Sequence, residues 1–202
     1  MYESVSNHHP VVRACIAMLA VLAACGDTAT TPFSGTASAS RASIGGDADL
    51  GAVFVTTNAA AGNAVVAFAR GVDGTLTPSG TFSSGGLGIG GTVDPLASQS
   101  ALALSGDNHR LYVVNGGSNS VSTFAVSGAT LTLLGTVSSA GTLPVSLSVS
   151  RNRLFVLNAG SNGIAEFPLG PDGTPAQSPT ASASLSTPAS GASTISTSPN
   201  GR

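Results

Sequence analysis

One pattern is written more than once in this chain, and it limits the possible folds more than any other feature. Leu111-Tyr-Val-Val-Asn-Gly-Gly-Ser-Asn-Ser-Val-Ser-Thr-Phe124 is an apolar run, a polar Asn/Gly turn, and a second run alternating apolar with small polar residues. Leu154-Phe-Val-Leu-Asn-Ala-Gly-Ser-Asn-Gly-Ile-Ala-Glu-Phe167 matches it position for position, with Asn158 under Asn115, Asn162 under Asn119 and Phe167 under Phe124. Val53 to Phe68 is a looser copy with two extra residues around its turn. The first run is β-branched and aromatic, which suits a pleated, half-buried surface. Asn and Gly then supply the positive φ that a tight turn requires. Each copy therefore reads as a β-hairpin.

Two further segments accompany the hairpins. Asp73–Pro78, Gly128–Leu133 and Asp172–Gln177 follow them, while Ser100–Leu104, Pro144–Val149 and Ser193–Thr197 precede a hairpin position. About four short strands per repeat is the content of one propeller blade. Phe68 to Phe124 spans 56 residues and Phe124 to Phe167 spans 43, close to a blade's interval. The longer first interval holds a glycine-rich insert at Gly85 to Gly91. After residue 50 the apolar period is two and never that of a helix. A β-sandwich also strings short strands between turns, but it does not repeat one sequence at this spacing. The expected fold is all-β, a partial β-propeller of about three four-stranded blades over residues 51–202.

The ends of the chain read differently. Ala14 to Ala24 is an apolar run behind Arg13, closing on Leu22-Ala23-Ala24-Cys25. At ~1.5 Å per residue it is too short to cross a ~30 Å hydrocarbon core, so it reads as a secretory signal over residues 1–24. Cysteine directly after Leu-Ala-Ala resembles a bacterial lipobox, which makes Cys25 the expected site of lipidation and the first mature residue. Acyl chains there would anchor the protein to a membrane of the bacterial cell envelope, plain secretion being the other reading. Cys15 would leave with the signal, so the mature chain would have no cysteine free for a disulfide or metal site. Residues 25–50, rich in Ser, Thr, Ala and Gly with no apolar period, read as a flexible tether. Ser198-Pro-Asn-Gly-Arg202 matches the turn that precedes a hairpin strand elsewhere, as Arg110 and Arg153 do. A further blade is therefore expected after Arg202, and an open arc of three blades should be poorly soluble or oligomeric alone.

Charge narrows the function classes. Charged residues are 8% of the chain and the net charge is −2, with no Lys/Arg cluster, no Trp and two Tyr. Nucleic-acid binding is not expected, because neither an electrostatic footprint nor a stacking platform is present. Gly86-Leu-Gly-Ile-Gly-Gly91 fits a dinucleotide pattern literally, but that pattern works only where a strand feeds a helix, and Thr92-Val-Asp-Pro95 opposes one. His109 beside Arg110 reads as a solvent-facing turn histidine with no acid in its motif to orient it. Glu166 reads as lying on the solvent face of an alternating strand, with a channel position as the alternative. Asp73, Asp107 and Asp172 sit in glycine-rich turns as acceptors of local N–H groups, in separate blades and so not as a calcium site. No cofactor is expected.

These motifs resemble the lactonase-type β-propellers, or YVTN-repeat proteins, which include a bacterial 6-phosphogluconolactonase. The resemblance rests on Leu111–Asn115, Leu154–Asn158, Ser198–Arg202 and Asp73–Pro78, and covers about residues 51–202. In enzymatic members it implies a blade that starts with Pro-Arg-His and a Glu directly after the Asn of the tyrosine strand. Here Pro144-Val145-Ser146 with Ala159, Gln99-Ser100-Ala101 with Gly116, and Ala192-Ser193-Thr194 stand at those positions. No Arg, His or Glu is among them, and lactone hydrolysis needs a general base or an activated water. The expectation is an anchored binding or scaffold module, presenting loops to a protein or glycan, with no catalytic residues in these blades. The alternative is a lactonase, or a related ring-opening or ring-closing enzyme, whose catalytic blades lie beyond Arg202.

Overall fold

The structure is a computed structural model describing residues 51–91, 96–185 and 191–198. The signal, Cys25, the tether, Thr92–Pro95 and Arg202 lie outside the described residues. Among those described there are eleven strands and no helix.

The strands form three separate antiparallel sheets. The first is β1 (Ala52–Thr56), β2 (Ala64–Arg70) and β3 (Leu76–Ser83), in that order. The second is β4 (Leu102–Leu104), β5 (Arg110–Asn115), β6 (Ser120–Ser127) and β7 (Thr130–Ser138). The third is β8 (Pro144–Ser150), β9 (Arg153–Asn158), β10 (Gly163–Pro168) and β11 (Ala181–Ser184). Each repeat copy is thus a hairpin within its own sheet, central in the second and third, in the strand order of propeller blades. The equivalence extends to defects: β2–β3 and β6–β7 shift register at matching points, Ala67/Phe68 and Thr123/Phe124. In the two tight hairpins the left-handed turn residue is Asn119 (φ 52°) or Asn162 (φ 53°), while their glycines stay outside that region.

Period-two patterning decides what packs between blades. One face of β5–β7 offers Leu111, Val113, Phe124 and Leu131 to Val65, Phe54 and Phe82 of the first sheet. The other offers Tyr112, Val114, Val121 and Val137 to Leu154, Val156, Ala165 and Phe167 of the third. Alternate residues of one strand therefore serve two different cores; β5 is buried from Leu111 to Asn115 and β6 from Val121 to Phe124. Innermost strands β4 and β8 lie against each other. Outer strands β3, β7 and β11 are largely exposed.

Three details depart from the sequence reading. The outer strand of the third blade is β11 and not Asp172–Gln177, where one isolated bridge joins Leu169 to Pro175. Pro171, Pro175 and Pro179 carry no N–H for a ladder, which postpones pairing until Ala181. Ser193–Thr197 is not a strand. It is held at separate points, its Ile195 N–H donating to a side chain, Ser146 Oγ, at 3.1 Å, so no ladder forms. Finally, the first sheet has three strands among the described residues, not four.

Candidate functional site

The positions singled out at the blade starts do converge. Gln99 N–H donates to Ser193 O (3.1 Å) and Leu147 N–H to Ser100 O (2.9 Å). With the Ile195–Ser146 bond, these join Gln99–Ala101, Pro144–Ser146 and Ala192–Thr194 at one end of the inner strands. The hairpin turns close over the same end, Ala159 N–H donating to Leu143 O and Gly160 N–H to Thr142 O.

What occupies this end is apolar or hydroxylic. A Cβ on Gly116 would lie 3.1 Å from Ile89 Cγ2, 3.2 Å from Leu96 Cδ2 and 3.4 Å from Leu143 Cδ1. A carboxylate at position 116 would thus enter a ring of aliphatic groups, where its charged form is penalised. Several non-glycine residues here hold positive φ: Ala97 (45°), Ser100 (61°), Ala140 (57°) and Leu143 (51°). Such strain persists where surrounding structure enforces it and clusters at functional loops. Ser, Gln and backbone groups can hydrogen-bond a ligand but cannot move a proton at neutral pH. No group of three or more His, Cys, Asp or Glu able to hold a metal occurs among the described residues.

The glycine run is a seam between sheets. Asn63 N–H donates to Gly86 O, Gly88 N–H to Ala59 O, Gly90 N–H to Asn58 O and Gly117 N–H to Leu87 O. A Cβ on Gly88 would stand 2.2 Å from the Asn58 backbone, so the glycine is needed for close approach. There is no helix among the described residues, and backbone groups of Gly86, Gly88 and Gly90 are taken up by the seam, so nothing there supports phosphate binding.

Titratable groups gather at the opposite end. Asp73 and Asp172 each accept the N–H and hydroxyl of the threonine two residues on, at 3.0 and 2.7 Å. Asp107 accepts from Ser105 Oγ and from His109 N–H. An acid therefore does stand beside His109, contrary to the sequence reading, but it bonds the backbone amide instead of the ring. All three carboxyls are held below their usual range: by the Thr75 hydroxyl first for Asp73, the Ser105 hydroxyl for Asp107 and the Thr174 amide for Asp172. Glu166 is half-buried and paired with Arg153, on the face of the third sheet turned away from the second. That is the outward face of an alternating strand, as the sequence reading expected, and the carboxylate is paired there instead of free.

Tyr112 ties the blades together at this end, its hydroxyl donating to Gly173 O at 2.7 Å. Burial pushes the phenol up to about 12 from 10.0, with Arg110 opposing the shift. A raised folded pKa gives stability that is full below the unfolded value and lost as pH climbs through the folded one. Between about pH 9 and about pH 12 the protein should lose about 1–2 kcal/mol through this group, allowing for solvent near the hydroxyl. Tyr112→Phe should start about 1 kcal/mol less stable and lack that alkaline decline. Urea unfolding at both pH values measures the difference, and equal slopes in the two proteins would refute the assignment.

Residues 81–194 match the family model described as "Lactonase, 7-bladed beta-propeller". No curated protein sequence matches significantly. Among solved structures, a functionally unknown protein from Desulfotomaculum acetoxidans aligns with TM-score 0.50 at 24% identity, over 61% of this chain and 36% of its own. A 6-phosphogluconolactonase candidate from Bacteroides fragilis gives 0.50 at 23%, over 66% and 36%. The periplasmic gluconolactonase of Pseudomonas aeruginosa gives 0.49 at 26%, over 60% and 34%. The chain spans about a third of the length of these structures.

Proposed function

The chain belongs to the lactonase family of seven-bladed β-propellers, and within it we propose an envelope-anchored binding or scaffold module whose blades over residues 51–198 are non-catalytic. One observation carries the reading. The three blade starts meet at one end of the inner strands, and no side chain among the described residues there can serve as general acid or base. At Gly116 the ring of Ile89, Leu96 and Leu143 takes the space a carboxylate would need. Serine and glutamine hydroxyls and amides with exposed backbone suit a ligand held by hydrogen bonds, a protein loop or a glycan. Cys25, behind Leu22-Ala-Ala, would carry the lipid, with residues 26–50 as the tether to the folded body.

Family membership favours a second reading, a lactonase or related ring-opening or ring-closing enzyme with its catalytic groups outside these blades. An exported location weighs against a phosphorylated sugar lactone, because such intermediates are kept in the cytosol. The full-length protein separates the two. The expected results are lactone hydrolysis no faster than the spontaneous rate in a pH-stat, and release from the membrane fraction on Cys25→Ser. Acceleration of glucono-lactone hydrolysis would overturn the non-catalytic reading, and unchanged fractionation of Cys25→Ser would overturn the anchor.

A further inference from the structure

The glycine run after β3 holds two aliphatic side chains out into solvent. Gly86 and Gly88 are buried, while Leu87 and Ile89 are 44% and 36% exposed. A Cβ on Gly86 would come within 2.4 Å of Asn115 Cγ, and one on Gly88 would meet the Asn58 backbone. The inward places admit no side chain, so the aliphatic residues of the run must face outward.

The backbone that carries them is already satisfied. Five successive N–H groups donate within the protein: Gly86 to Ser84 Oγ (3.3 Å), Leu87 to Ser118 Oγ (3.0 Å), Gly88 to Ala59 O (2.9 Å), Ile89 to Asn58 Oδ1 (3.0 Å) and Gly90 to Asn58 O (2.9 Å). A protein partner adding a strand here would find no free donor in the run. An apolar medium, by contrast, accepts only backbone whose polar groups are bonded internally.

The turns at this end are also free of charge. Residues 57–63, 84–91, 96–101, 116–119, 139–143 and 159–162 include no Asp, Glu, Lys, Arg or His. The charged side chains of the described residues lie in or beside the opposite turns, apart from Glu166 within β10. Val72 and Leu76 are exposed as well, but they flank Asp73, whose charge resists transfer out of water.

We propose that Leu87 and Ile89 form a lipid-contact site, dipping into the boundary between headgroups and acyl chains of the membrane to which Cys25 would hold the chain. The choice of occupant rests on the anchored reading given above. An anchor supplies what two side chains lack, a high local concentration, so that a weak insertion is enough to orient the blades. The chain enters the fold at Gly51, at the other end of the first sheet, but the segment 26–50 reaches at most ~85 Å. That is several times the ~20 Å length of a strand. The contact turns the blade starts toward the bilayer, and a ligand held there is one met at the membrane surface.

Tryptophan emission tests the contact, because the chain has no tryptophan of its own. Leu87→Trp is compared with Val72→Trp, at a site 75% exposed at the opposite end. Both carry the same indole, so tryptophan's own affinity for the interface cancels. Each is made in the full chain, acylated or with Cys25→Ser, and mixed with phosphatidylcholine vesicles. Leu87→Trp emission should move to the blue and be quenched by brominated acyl chains in the acylated chain and, at higher lipid, in the Cys25→Ser chain. Val72→Trp should show neither effect. Adding Ile89→Ser should weaken partitioning of the Cys25→Ser chain roughly tenfold, and salt should leave it unchanged. Unshifted Leu87→Trp in vesicles that do carry the acylated chain would overturn the contact and leave the anchor standing. A chain that carries no lipid on Cys25, yet shifts at Leu87→Trp, would remove the anchor and keep the contact. Equal shifts of the two tryptophans, or partitioning unchanged by Ile89→Ser, would overturn the proposal.

Discussion

Replacing Asn115 by alanine will cost about 3 kcal/mol of stability, whereas the same change at its sequence equivalent Asn158 will cost about 1 kcal/mol. Asn115 is fully buried and bonded on both sides of its amide. Oδ1 accepts from Asn63 Nδ2 at 3.0 Å and from Ser84 Oγ at 2.7 Å, both in the first blade. Nδ2 donates to Ser122 Oγ at 2.7 Å and Ser120 Oγ at 3.2 Å in its own. Ser122 Oγ returns to Ser84 O, so five groups of two sheets close into one network. Removing its centre strands buried donors and acceptors that water cannot reach. Asn158 is just as buried, but its Nδ2 reaches one acceptor, Ser139 O at 2.8 Å, and its Oδ1 has no partner. Urea unfolding of the two variants decides the matter, and equal losses would contradict the network.

Phe124→Ala is expected to cost about 3–5 kcal/mol, a large share of a domain's usual stability, and Phe68→Ala about half as much. The two phenylalanines hold equivalent places in their hairpins, opposite Leu111 and Val53. Phe124 has no solvent exposure, being packed among Leu111, Val113, Leu131 and the first sheet's Val65. Phe68 points to the other face of the first sheet and is half-buried. The cavity term applies in full only where neighbours enclose the lost ring on every side. Denaturant midpoints that fall equally for both variants would mean that the blade interface does not set the cost.

Most of the architecture was legible because a hairpin announces itself locally. Leu111–Phe124 and Leu154–Phe167 carry period two, turn chemistry and repetition together, and β5–β6 and β9–β10 fall where those signals put them. The first failure came where proline outranked spacing: Asp172–Gln177 has the position of an outer strand but not the N–H groups. The second came where identity hid a difference. Asn115 and Asn158 look alike in sequence, and what distinguishes them is supplied by Asn63 and Ser84 of a neighbouring sheet. Asn63 carried no signal beyond its place in a turn. The candidate face was legible only through what its positions lack, since the repeated motif builds blades whatever they bind.

The seam made by Gly86, Gly88 and Gly90 has a mechanical consequence. A force entering the fold at Gly51 meets β1, but the turn after β1 is fastened through that seam to the turn of the second sheet. Load therefore passes from the first blade into the second through the bonds at Leu87. A molecule tugged from its N-terminal side is thus tied to its second blade close to where the pull arrives.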